Sequence, residues 1–192
     1  MKGCRPLNRH ERKAILAQIH DPREQALFNL GIATGFRISE LLSLRIGDGV
    51  DPRDQALHYI TVQASKTKTK EDRTVPLNAN ARRAVEAQAR HLLKQGYSRE
   101  ASLFLSRKGP GLKSITRVQA WRILKKLFTL ADVLGNVATH TLRKTFAREV
   151  YRAVGKIELV QIALGHQSIT STMSYLSFNH DDVTQAIIGI EI

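Results

Sequence analysis

Two arginines sit where a planar guanidinium could grip an anion. Arg37 lies in Thr34-Gly35-Phe36-Arg37-Ile38-Ser39-Glu40, with Gly35 permitting a tight turn and Arg37 opening the helix that follows. A guanidinium fork can bind two oxygens of one phosphate at once. Glu40, three residues on, shares the helix face of Arg37 and could hold it in position. Arg143 belongs to His140-Thr141-Leu142-Arg143, which sets an imidazole and a second guanidinium one helical turn apart. Leu142 and Phe146 read as the inward stripe of that helix. His140 and Arg143 are therefore expected on a different face, able to address one phosphate together. His166 follows a helix-ending glycine in Leu164-Gly165-His166-Gln167-Ser168, and Tyr175 comes nine residues later. A phenol is a rare nucleophile and is mostly protonated at neutral pH. Lys66, on a basic segment, could reach into a DNA groove or protonate a leaving oxygen. Taken singly, each has a plainer reading: an exposed ion pair, a helix-end histidine, a loop residue, a core tyrosine, a solvated lysine.

Composition bounds the partners. Thirty Lys and Arg face 17 Asp and Glu, a net charge of +13 over 192 residues. Such an excess points to a polyanion, either nucleic acid or an anionic membrane surface. No apolar run approaches the ~20 residues that span a bilayer, and no apolar stretch follows the N-terminal charges to make a secretory signal. A single cysteine, Cys4, excludes an internal disulfide and a Cys-cluster zinc site, so a reducing cytoplasm is the expected home. The sequence carries no cluster of carboxylates suited to two-metal chemistry and no glycine-rich nucleotide loop. No metal and no cofactor are expected.

The elements that must position these side chains are mostly helices. Asn8 with Glu11 makes a capping box, and Asp21-Pro22 starts a second helix that stops near Gly35. A short helix is predicted over Ser39 to Leu44, ended by Gly47-Asp48-Gly49. Leu57 to Val62 and Thr74 to Leu77 read as strands, with Pro76 at an edge or strand end. Between them lies a basic hairpin holding Lys66, Lys68, Lys70 and Arg73. Further helices are predicted over Ala81 to Leu93, Arg117 to Ala131, Thr139 to Val154, Ile157 to Leu164, and from Ser168 through Tyr175. Trp121 reads as core. The fold class is mainly α with a small antiparallel β-sheet, in one domain.

Arg, Lys, His-x-x-Arg, His and Tyr occur in this order in the chain, and at this point the sequence resembles the tyrosine recombinase (phage integrase) family. The matching stretches are Thr34 to Leu41, Ser65-Lys66-Thr67 with Val75-Pro76-Leu77, His140 to Ala147, and Leu164 to Ile169 leading to Tyr175-Leu176. The likeness covers nearly the whole chain. It implies a single catalytic domain over residues 1–192 that breaks and rejoins duplex DNA through a covalent 3′-phosphotyrosyl intermediate, without metal or ATP. It implies that Arg37 and Arg143 clamp the scissile phosphate, that His140 serves as base or hydrogen-bond partner, and that His166 donates to the phosphate. Lys66 would be the general acid, with Lys68 as the alternative; Tyr175 would be the nucleophile and Glu40 a supporting acid.

The resemblance extends to partners. Family members often dock a C-terminal helix into a neighbouring protomer, so a homo-tetramer on DNA is expected, with the tail from about residue 178 to 192 exchanged between protomers. Accessory DNA-bending proteins are further candidate partners, and a bacterial, plasmid or phage context is expected. Lys68, Lys70, Arg73, Lys108, Lys113, Arg117 and Lys144 are the candidate DNA contacts, which would position the duplex without reading its sequence. The N-terminal DNA-clamping domain common in the family is not evident before Arg37. Two other readings stay open: type IB topoisomerase-like DNA relaxation, and a DNA-binding module without catalysis.

Overall fold

The computed structural model describes residues 3–67, 70–106, 113–176 and 188. The chain enters through the predicted capping box: Asn8 accepts from the Glu11 amide, Glu11 accepts from the Asn8 amide, and α1 (Arg9–Ala17) follows. Asp21 accepts from the amides of Arg23 and Glu24 to open α2 (Pro22–Thr34), with Pro22 in the first turn. α2 buries Ala26, Leu27, Phe28 and Leu30 and ends at Gly35, whose φ of 58° is left-handed. A Cβ at Gly35 would lie 2.3 Å from the Phe146 ring, so both backbone and space demand glycine there.

The next stretch departs from the expected single helix over Ser39 to Leu44. It forms two separate turns, α3 (Ile38–Leu41) and α4 (Ile46–Gly49), the second capped where Asp48 accepts from the Arg45 amide. The break has a tertiary cause. The Leu44 carbonyl accepts from the Leu103 amide, and the Ile46 amide donates to Ala101, so this segment bonds across to residues 101–103 instead of continuing a helix.

β1 (Tyr59–Val62) and β2 (Arg73–Pro76) pair antiparallel, with Tyr59 opposite Pro76 and Val62 opposite Arg73. Pro76 thus lies at a strand end, where its missing N–H matters least. Between the strands, Ala64–Lys66 makes a 3-10 turn, and Asp72 accepts from the Ala64 amide at 2.7 Å to close the base of the hairpin. α5 (Ala79–Lys94) is capped by Asn78, and α6 (Arg117–Leu130) by a Thr116/Gln119 capping box. Then come α7 (His140–Val154), α8 (Ile157–Leu164) and α9 (Ile169–Leu176).

α2 packs against both α5 and α7 at the centre of the main core. Trp121 packs on the edge of that core, its ring 6.4 Å from that of Phe128. A second, smaller cluster of Ala147, Val160, Leu164 and Leu176 ties α7, α8 and α9 together. Among the described residues, no helix is long and apolar enough to cross a membrane. The C-terminal stripe of Val183 and Ile187 lies outside the described residues.

Candidate active site

α3 starts just after Arg37 because Glu40 draws the turn closed. The Arg37 amide donates to Glu40 Oε2 at 2.7 Å, and the Arg37 guanidinium donates to Glu40 Oε1 at 2.7 Å. Glu40 is buried, and Arg73 lies 3.5 Å from its other oxygen. Glu40 therefore orients one arginine and neutralises part of two, while the Arg37 side chain stays 23% exposed.

Arg143 sits deeper than the helix pattern predicts. It was expected on a shared face with His140, yet His140 is exposed and Arg143 is only 1% exposed. Three residues span about 300°, so Arg143 borders the inward stripe of α7. It finds acceptors there: its Nη1 donates to the Gly35 carbonyl and its Nη2 to the Leu164 carbonyl at 2.8 Å. These two oxygens belong to the C-terminal ends of α2 and α8. Last-turn carbonyls lack intrahelical partners and carry the negative end of the helix dipole, so they suit a buried cation. The Arg143 Nε is buried without a hydrogen-bond partner. An unpaired buried donor is costly, by about 1–3 kcal/mol, and an anionic oxygen would relieve it.

Arg73 uses the same two helix ends. It donates to Thr34 at 2.8 Å, to Ala163 at 2.6 Å and to Gly35 at 3.4 Å, and it lies 4.8 Å from the centre of the Phe36 ring. Expected among the DNA contacts, it instead turns inward. The strand pattern contained the signal: Arg73 is two residues before buried Val75, so both face the same side of β2. Burial pushes the Arg73 pKa down to about 10, Arg143 adds to the push, and Glu40 opposes it. Burial and then Arg37 lower the pKa of Arg143, against Tyr175 and Glu40.

The two histidines share this positive field. Partial burial of its ring, then Arg143, Arg37 and Lys144, hold His140 below its ordinary pKa. His166 is pushed down to about 4 by burial first, then by Arg143, Arg37 and Arg73, with Glu40 opposing. Both are therefore neutral at pH 7, able to donate an N–H without adding charge. His166 is held by its backbone, which exchanges hydrogen bonds with Gln161, and by its ring, whose Nδ1 is 3.1 Å from Thr172 Oγ1. Thr172 is fully buried. The sequence reading did not single it out; its place four residues before buried Leu176 was the available sign of an inward position.

Tyr175 completes the cluster. Its ring meets that of His166 edge-on at 4.9 Å, with the Arg143 guanidinium 5.7 Å and the Lys144 ammonium 5.9 Å from its centre. Lys66 stands apart. It is exposed, and its Nζ donates to the Ser43 carbonyl at 3.3 Å. With Arg45, Glu100 and Lys113 it lines a cleft of about 500 Å³. Lys70 and Arg117 are exposed, and Lys144 is half-buried. Lys68 and Lys108 lie outside the described residues.

This fold recurs in solved structures. A crystal structure of XerA recombinase superposes with a TM-score of 0.76 at 27% identity, covering 99% of this chain and 67% of that one. XerH site-specific recombinase in a post-cleavage complex with palindromic difH superposes with a TM-score of 0.73 at 23% identity, covering 95% of this chain and 52% of that one. The architecture is that of tyrosine recombinase catalytic domains. The Phage integrase family model matches residues 5–181, and the chain belongs to that family, the tyrosine recombinases. It is 36% identical over 158 residues to tyrosine recombinase XerD of Oceanobacillus iheyensis, covering 80% of this chain and 49% of that protein. To the probable integrase/recombinase YoeC of Bacillus subtilis it is 31% identical over 164 residues, covering 85% and 82%. The chain spans about half the length of the XerD relatives it matches.

Proposed function

We propose that this chain is the catalytic domain of a site-specific DNA recombinase that cuts and rejoins duplex DNA. The observation that carries the proposal is the Tyr175 phenol set against Arg143 and His166 in a pocket where three arginines outnumber one carboxylate. In the proposed step, Tyr175 Oη attacks the scissile phosphorus and a Tyr–O–P bond forms as the P–O5′ bond breaks. The phenol proton passes to His140 or to solvent. Lys66 protonates the departing 5′-oxygen. Charge building on the non-bridging oxygens is met by Arg37, Arg143 and the N–H of His166, which act as preorganised donors. The phosphotyrosine retains the bond energy, so a 5′-hydroxyl from a second strand reverses the step without ATP.

Lys66 must leave the Ser43 carbonyl to serve as acid, a change its exposed and flexible side chain can make. Duplex DNA is the proposed partner. A homo-tetramer joined through the C-terminal tail is proposed with it, supported by Ile162 (75% exposed) and Met173 (55% exposed) on α8 and α9. Accessory DNA-bending proteins are proposed as optional partners. A bacterial cytoplasmic setting is proposed with it, supported by the bacterial source of the XerD and YoeC relatives. Incubation with a pooled library of nicked suicide duplexes tests the chemistry. A protein–DNA adduct that survives denaturant and chelator and is lost in Tyr175→Phe is the expected result. Absence of any adduct across the library would overturn it.

A further inference from the structure

We propose that Arg73 is a positioning residue of the phosphate site, fastening the base of the Lys66 hairpin to the helix ends that hold Arg143 and His166. The proposal rests on the recombinase reading above. Arg73 opens β2 opposite Val62, where the hairpin bearing Lys66 rejoins the sheet. Its side chain is 11% exposed and reaches four acceptors in three other elements. Each acceptor is shared with, or adjacent to, a group of the proposed site. The Gly35 carbonyl accepts from Arg73 and Arg143 together. Glu40 is bridged by Arg73 and Arg37. Ala163, which accepts from Arg73, immediately precedes Leu164, which accepts from Arg143, and His166 follows two residues later.

One guanidinium therefore joins the segments that carry Arg37, Arg143, His166 and Lys66. A rigid five-donor fork suits this task. A lysine presents one point charge and cannot reach α2, α8 and Glu40 at once. The surroundings also limit where the side chain can go. Phe36 underlies the guanidinium, and a Cβ at Gly165 would lie 3.4 Å from Arg73 Cδ. Arg73 touches none of the groups expected to react, so it acts through those it holds.

Arg73→Gln and Arg73→Lys, made in the full chain, test this in two ways. The first is single-turnover cleavage of a suicide duplex at saturating DNA. Arg73→Gln should slow the rate constant by about 100-fold, the scale of a misplaced catalytic group. Arg73→Lys should recover part of that loss, and DNA affinity should stay within about threefold of wild type for both, as expected of a residue that makes no contact with DNA phosphates. An unchanged rate constant with lower amplitude and a lower melting point would mean that Arg73 only stabilises the fold. An unchanged rate constant with weaker affinity would make it a DNA contact. Either result overturns the proposal.

The second measurement is NMR titration of His166 in the DNA-free protein. The charged groups around that ring are Arg143 on α7, Arg37 and Glu40 on α3, and Arg73 on β2, with Glu71 and Glu158 lining the adjoining cleft. The midpoint should rise in Arg73→Gln and hold in Arg73→Lys; an unchanged midpoint in Arg73→Gln counts against the proposal. If Arg73→Gln does not fold, Arg73→Lys decides: slowed cleavage at unchanged affinity supports the role, and wild-type cleavage overturns it. If wild type forms no adduct, the recombinase reading fails and the titration alone decides the role of Arg73.

Discussion

At His166, burial of the ring and then three neighbouring arginines keep the imidazole neutral, while Thr172 engages Nδ1 and leaves Nε2 for the phosphate oxygen of the proposed step. The fold carries a pH signature as a result. The folded-state pKa of about 4 lies below a histidine's ordinary 6.5, so between these values the unfolded chain binds more protons than the folded one. Stability therefore rises with pH across that window and is lost as pH falls from 6.5 toward 4. The depressed pKa of His140 contributes in the same direction. Thermal melts of the DNA-free protein should give a lower midpoint at pH 5 than at pH 7, and His166→Gln should narrow the gap. An equal gap in that variant would mean that His166 does not carry the effect. A DNA phosphate bound at the proposed site would bring negative charge to the ring and move its titration back upward.

Among the elements, the end of α2 matters most, because Gly35 both stops the helix and offers its carbonyl to two arginines. Gly35→Ala forces a left-handed φ on a residue with a Cβ and drives that Cβ into Phe146. It should destabilise the fold by about 2 kcal/mol or more in denaturant titrations. If the variant matches wild-type stability, the turn tolerates a side chain at this position. Much at this scale was readable from sequence. Asn8 and Asp21 cap helices because a side-chain oxygen three residues or fewer from an orphan amide is a local matter, and β1 and β2 followed from short β-branched runs. The misread parts depend on distant partners. The split between α3 and α4 is made by residues 101–103, which no local pattern around Ser43 discloses. Helical periodicity placed Arg143 beside His140, but only the carbonyls of α2 and α8 make a buried guanidinium tolerable. The candidate site was legible as a set of residue types in order. The inward turn of Arg73 and the resting place of Lys66 on Ser43 come from tertiary packing.

Across the whole molecule, the charge of +13 overstates what is offered to a polyanion, since Arg73 and Arg143 are engaged inside. The exposed apolar side chains of α8 and α9 are a separate feature of the surface. Deleting residues 181–192 should leave suicide cleavage within about threefold of wild type while removing synapsis and strand exchange, as expected if the tail adds association and not chemistry. Retention of strand exchange in gel-shift and recombination assays would sink the exchanged-tail proposal. Apart from the Glu40 carboxylate beside Arg73, the oxygens that hold the two inner arginines are peptide oxygens, from Thr34, Gly35, Ala163 and Leu164. Every amino acid supplies such an oxygen, so a substitution at 34, 163 or 164 erases no acceptor, although buried Thr34 and Leu164 are still constrained by their own packing. The pocket's peptide anchors thus outlast changes of residue type around them, and residue identity is fixed chiefly at Gly35, which needs its left-handed φ, and at Glu40, which holds two arginines by its carboxylate.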